Sequence, residues 1–90
     1  MPNFKLVITY SPYFVKNFRK LPLSVQRTAI SQEKLFRKNM YAPSLKTHKL
    51  KGDLVGYYAF SVNYHYRILF VIEPNNEVVF INIGTHSIYR

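Results

Sequence analysis

The run from Tyr66 to Ile72 constrains this chain most. In an extended strand successive side chains point to opposite faces. Tyr66, Ile68, Phe70 and Ile72 then make one uniformly apolar face, and Arg67, Leu69 and Val71 share the other with His65 just ahead of them. The first face has to be core. The second holds a cation beside two aliphatic side chains, an arrangement that calls for a reason. A second strand-like run, Glu77 to Ile83, follows after Pro74-Asn75-Asn76, a turn sequence, so the two runs read as a hairpin.

The rest of the chain supplies what such a hairpin needs. Phe4 to Tyr10 alternates as a first strand. Ser11-Pro12 is a helix start, a hydroxyl N-cap followed by proline at the first helical position. Phe14, Phe18 and Leu21 fall on one face of that helix, and Pro22 ends it and opens the next. The second helix is predicted over Leu23 to Lys38, with Val25, Ala29, Phe36 and Met40 in one narrow stripe and Arg27, Lys34 and Lys38 opposite. Asn39 to Leu50 reads as an irregular connector, broken by Pro43, and Asp53 to Val62 as a strand with Gly56 inside it. Asn63-Tyr64 is the turn into the Tyr66 strand, and Gly84-Thr85-His86 ends the last one before a short tail. The expected architecture is a single α+β domain over residues 1–90. Its order is β-α-α-β-β-β, an antiparallel sheet with a helical hairpin packed on one face.

Composition narrows the function classes. Thirteen Lys and Arg face four acids, a formal charge of +9, and the eight tyrosines and seven phenylalanines argue for a packed core over disorder. Such an imbalance suggests a polyanionic partner, although a basic surface can also serve solubility alone. There is no cysteine, hence no disulfide framework or thiolate metal site. No apolar run approaches a membrane span and none follows the N-terminus as a leader would, so the expected location is the cytoplasm, with no membrane partner.

The chemistry-bearing residues gather at strand ends and loops. His48, His65 and His86 are all the histidines of the chain. One such residue is ordinarily a hydrogen-bonded surface group, but three at the edges of one sheet around Arg67 invite a joint role. No carboxylate accompanies them at ligand-like spacing and no His-x-x-x-His pair occurs, so neither a metal nor another cofactor is called for. Imidazole can take a proton from a 2′-hydroxyl or give one to a leaving 5′-oxygen. An arginine can hold the phosphate between them and stabilise its added charge. Lys46, Lys49 and Lys51 would steer a phosphate backbone, unless they are only a solvated loop. Tyr89, close to His86 in the tail and followed by Arg90, is the best of many aromatics for stacking on a base.

Three segments together resemble a known family. They are His48-Lys-Leu-Lys-Gly52, the run from Gly56 to Phe70, and Ile83-Gly-Thr-His-Ser-Ile-Tyr-Arg90. They resemble the RelE-type toxins of bacterial type II toxin–antitoxin systems, above all the YafQ-like branch, and with the strand order the resemblance spans nearly the whole chain. It implies a metal-independent endoribonuclease, an mRNA interferase that cuts messenger RNA in the ribosomal A site by 2′-hydroxyl attack. It also implies a cognate antitoxin that holds the toxin inactive. Arg67 matches the family's phosphate-binding arginine, His86 and His48 match histidines of the YafQ-like branch, and Tyr89 resembles the C-terminal aromatic. Ser61 stands where that branch has another histidine, His65 where it has an aspartate, and Tyr58 and Phe60 where RelE has paired lysines. The expected roles are His86 as general acid, His48 or His65 as general base, Arg67 as phosphate clamp, and Lys49 and Lys51 on the RNA backbone. A ParE-like inhibitor of DNA gyrase on the same scaffold is the alternative; the retained Arg67 and His86 argue against it. A non-enzymatic basic module would depend on the lysines and be indifferent to His86.

Overall fold

A computed structural model of the protein describes residues 5–89. Phe4, the expected start of the first strand, and Arg90, expected to touch RNA, lie outside the described residues. The described elements are β1 (Val7–Tyr10), α1 (Pro12–Lys20), α2 (Leu23–Lys38), β2 (His48–Lys49), β3 (Tyr58–Ser61), β4 (Arg67–Glu73) and β5 (Glu77–Gly84). A final 3-10 turn spans His86–Tyr89. Among the described residues no helix is long and apolar enough to cross a membrane.

The two helices form as their sequence signals require. Ser11 caps α1, its hydroxyl accepting the N–H of Phe14 at 3.1 Å, and Pro12 follows inside the first turn. Pro22 sits at the junction and α2 runs over the expected residues. From the stripe of α2, Val25, Ala29 and Phe36 are buried. Phe36 is the centre of the core. Its ring stacks on Phe60 at 4.8 Å and meets Phe70 and Phe80 edge-on at 5.1 and 5.6 Å, one aromatic from each of β3, β4 and β5. Such offset and edge-to-face pairs are the arrangements aromatic quadrupoles favour.

The sheet is mixed, in the order β1-β5-β4-β3-β2. The antiparallel expectation holds for β2 to β5, but β1 lies parallel to β5, with Val7 opposite Glu77 and Tyr10 opposite Phe80. Both sides of β4 are taken by its hairpin neighbours, so the open edge of β5 receives the N-terminal strand. The connection from β1 to β5, through both helices and β2 to β4, is long enough for the parallel pair that two-residue turns cannot make. Ser11 extends the seal beyond β1: its N–H donates to the Phe80 carbonyl at 3.0 Å and its hydroxyl to the Ile81 carbonyl. Asn17 of α1 then donates to the Asn82 side chain at 2.6 Å. A helix cap thus also protects a strand edge that would otherwise expose unpaired backbone groups.

Other expectations need correction. The segment 53–62 is not one strand: Gly52–Leu54 is a 3-10 turn and Gly56 has φ +95°, so pairing begins only at Tyr58. The connector 39–50 is more ordered than expected, with a 3-10 turn at Pro43–Leu45 and the two-residue edge strand β2. Ile72 keeps the face of Phe70 but is 43% exposed, although its partner Val78 is buried. Asn75 and Asn76 both take left-handed φ values (64° and 61°) in that turn, a conformation asparagine tolerates better than most residues.

Tyr10 ties β1 to α2. Its hydroxyl donates to the Glu33 carboxylate, which also accepts from Arg37 one turn on at 3.4 Å. Burial, and then the bond to Glu33, raise the Tyr10 phenol above its ordinary 10.0. A phenol that holds its proton more tightly when folded stabilises the fold fully below the unfolded value, and that stability is lost as pH rises through the folded value. The urea midpoint of the wild type is therefore expected to fall between pH 9 and pH 11, and to fall less in Tyr10→Phe.

Candidate functional site

The site face is the side of the sheet away from the helices. Ala59 and Leu69 are buried yet lie outside the cluster that Phe36 centres. They form a small apolar floor on the opposite face, as alternation along β3 and β4 requires. In register with them the sheet carries polar side chains: His48 is opposite Ala59, and Arg67 lies between Ser61 on one side and Gly84 on the other. Arg67 stands beside aliphatic groups, as the strand pattern implied, because this floor is too small to be covered by a second layer. A hollow of about 340 Å³ opens between the helices instead, lined by Tyr10, Phe14, Phe18, Ile30 and others, on the side away from this face.

Arg67 is held at one nitrogen. Its Nη1 donates to the carbonyls of Asn63 (2.7 Å), Tyr66 (3.1 Å) and Tyr64 (3.3 Å) and to the Ser61 hydroxyl (3.1 Å). The Ser61 hydroxyl in turn donates to the Asn63 carbonyl at 2.8 Å. The β3–β4 turn is therefore wrapped around one corner of the guanidinium. Nε and Nη2 make no hydrogen bond among the described residues, and the group is only half-buried. The result is a fixed planar donor with its remaining edge open, the form in which arginine grips phosphate. Sequence reasoning missed Ser61 and Asn63 as partners of Arg67. The available signal was a small polar residue facing an arginine across a hairpin.

His86 and Tyr89 follow on from the neighbouring strand, and Tyr89 lies near enough for the charge of Arg67 to act on its phenol. Arg67 pairs with Gly84, the last residue of β5, and the 3-10 turn follows at once. The rings of His86 and Tyr89 meet edge-on, 5.7 Å apart. Burial pushes the Tyr89 phenol above its usual 10.0, while the charge of Arg67 pulls it back down, so the phenol remains protonated at neutral pH. Gly84 matters here for space: a Cβ there would lie 2.6 Å from Cγ2 of Ile88, which packs down onto the bare backbone. Gly84→Ala is expected to displace the turn that carries His86. Overpacking of this kind costs ~1–3 kcal/mol. Ångström-scale misplacement of a reacting group can reduce a rate by about 10²-fold. Thermal melts of the variant, paired with activity assays below its melting temperature, should show the activity reduced while the protein is still folded.

His48 lies on the same face, one row further along and two strands away. From strand spacing and rise the separation of its Cα from that of Arg67 is about 12 Å, room for a nucleotide between the two side chains. His48 is exposed, and its Nδ1 is 2.9 Å from the Lys46 carbonyl. A carbonyl only accepts, so Nδ1 carries the hydrogen, and in the neutral ring Nε2 is the free base. Lys46 is exposed and takes a left-handed φ of 51°, the bend that turns its carbonyl toward His48. Lys49 is opposite Tyr58, whose ring stacks on Phe70, so its register puts it on the helix side, away from His48. Lys51 is exposed at the start of the 3-10 turn Gly52–Leu54. His65 is in the β3–β4 turn, exposed, its ring against Tyr64. Among the described residues no three His, Cys, Asp or Glu side chains gather closely enough to hold a metal ion.

A mixed sheet in this order under a helical hairpin is the fold of solved toxins of the YoeB/ParE, YafQ and RelBE kind. Solved structures of that class superpose on nearly all of the chain. The YoeB/ParE toxin from Agrobacterium tumefaciens matches with a TM-score of 0.76 at 13% identity, over 90% of this chain and 99% of its own. YoeB in the heterotetrameric YoeB–YefM toxin–antitoxin complex from Staphylococcus aureus matches at 0.71 and 22% identity, over 91% and 98%. YafQ from E. coli matches at 0.70 and 18% identity, over 94% and 98%. No family model matches the sequence, and neither does any curated protein.

Proposed function

We propose that the protein is the toxin of a type II toxin–antitoxin pair, a metal-independent endoribonuclease that cuts ribosome-bound messenger RNA in the cytoplasm. The observation that carries this reading is Arg67, anchored through Nη1 with its other edge open, with Gly84 of β5 beside it two residues before His86, and His48 on the same sheet face two strands away. His48 Nε2 takes the proton of a 2′-hydroxyl, and that oxygen bonds to the adjacent phosphorus. Arg67 binds the phosphoryl oxygens and stabilises the charge they gain. The bond from phosphorus to the 5′-oxygen breaks, and His86 gives that oxygen its proton. The products are a 2′,3′-cyclic phosphate and a 5′-hydroxyl. The hydrogen bond that orients the His48 ring, where His65 only meets the Tyr64 ring, favours His48 as the base. Lys46 and Lys51 contribute attraction for the RNA backbone, and the charge of +9 suits both RNA and an acidic antitoxin segment. The complex of the S. aureus toxin with YefM supports an antitoxin partner for this chain.

Induced expression tests the reading. Growth arrest, with new 5′ ends in codon register on a translated message, is expected for the wild type and not for His86→Ala. Arrest without cleavage, indifferent to His86, would replace it with the gyrase-directed reading.

A further inference from the structure

Tyr64 has no role in the chemistry above, yet its setting is unusual. It is the most exposed large apolar side chain among the described residues, at 86%. Exposed tyrosines are common on mobile loops, but this loop is pinned. Asn63 Oδ1 accepts the backbone N–H of His65 and of Tyr66, each at 2.9 Å, and the Val62 N–H donates to the Tyr66 carbonyl at 2.9 Å. Arg67 binds the Tyr64 carbonyl itself. The His65 ring stands edge-on to the Tyr64 ring, with centroids 5.1 Å apart at 84°. A rigid turn thus shows an aromatic face to solvent within one side chain's length of the open guanidinium.

We infer that Tyr64, braced by His65, is a stacking platform for a base next to the phosphate that Arg67 holds, so that the site takes single-stranded RNA. The inference rests on the RNA-cleaving reading for its ligand. Every base has a π face, and stacking on an aromatic ring is a large, sequence-tolerant part of single-strand affinity. Duplex RNA keeps its bases stacked on each other and cannot offer one to a protruding ring. A nucleotide's base lies about as far from its phosphate as the Tyr64 ring lies from its own carbonyl. A second aromatic pair, His86 and Tyr89, follows β5 on the other side of β4, and Tyr89 feels the charge of Arg67. His65, standing where the related branch has an aspartate, then acts as a brace and not as the base.

The test uses a short single-stranded RNA, 2′-O-methylated throughout so that it cannot be cleaved, with 2-aminopurine scanned along it. The wild-type protein is expected to bind it and to quench the fluorophore at one favoured position. Tyr64→Ala should weaken binding about tenfold or more and remove that quenching. Tyr64→Phe should keep both, with melting temperatures unchanged. Equal binding and quenching by Tyr64→Ala, or no binding by the wild type, would overturn the platform. Cleavage of a translated message is scored separately. Message cut equally by Tyr64→Ala, with its binding unchanged, removes the platform and keeps the nuclease. Tyr64-dependent binding with intact message keeps the platform and removes the nuclease.

Discussion

Arg67→Ala is expected to reduce message cleavage by about 10²–10³-fold, the loss typical of a preorganised donor aimed at developing negative charge, and to abolish growth arrest. Arg67→Lys should recover little. The guanidinium does two things at once: Nη1 is committed to three carbonyls and a hydroxyl of the β3–β4 turn, and the opposite edge is left for the phosphate. An ammonium on a flexible stem can reach the carbonyls or the phosphate, but not both in fixed geometry. Losing the turn contacts also costs stability, ~1–3 kcal/mol for unsatisfied groups and less where water reaches the carbonyls. Thermal melts of both variants separate this from catalysis. If Arg67→Lys melts like the wild type and cleaves like it, a diffuse positive charge suffices and the clamp is wrong.

His48→Ala is expected to lose about 10²–10⁴-fold in cleavage rate, the span of positioned proton transfer, with its melting temperature nearly unchanged. The ring is exposed on a two-residue edge strand and its one hydrogen bond is to the Lys46 carbonyl. Removing it empties no core space. Free imidazole added to the assay should restore part of the rate to His48→Ala and none to Arg67→Ala. The base then differs from the clamp in kind. A His65→Ala variant that loses as much as His48→Ala, with equal rescue, would move the base to the turn.

The parts of the molecule that local chemistry decides could be read from the sequence. Ser11-Pro12 and Pro22 set the helix limits, and the alternation from Tyr66 to Phe70 identified the hairpin strand and the side of it that carries the cation. The parts that need a distant partner could not. The parallel seat of β1 on β5 depends on which sheet edge is open, and β2 is strand only because Ala59 and Tyr58 lie beside it. At the site, Arg67, His48 and His86 were visible as residue types. The partner set of Arg67 was not, because it is built from backbone carbonyls that every sequence possesses. Gly84 was read as the end of the last strand, whereas the structure also uses its lack of a side chain. The three lysines looked alike, and the alternation of β2 puts Lys49 on the face opposite His48.

The chemistry at the cut end tests the central claim most directly. Purified protein added to a translating system should leave messenger fragments whose downstream piece begins with a 5′-hydroxyl. Such ends can be labelled by a polynucleotide kinase without prior phosphatase treatment. Ends that need the phosphatase first carry 5′-phosphates. They would mean that water, not the 2′-hydroxyl, attacks, contradicting the roles assigned to His48, Arg67 and His86.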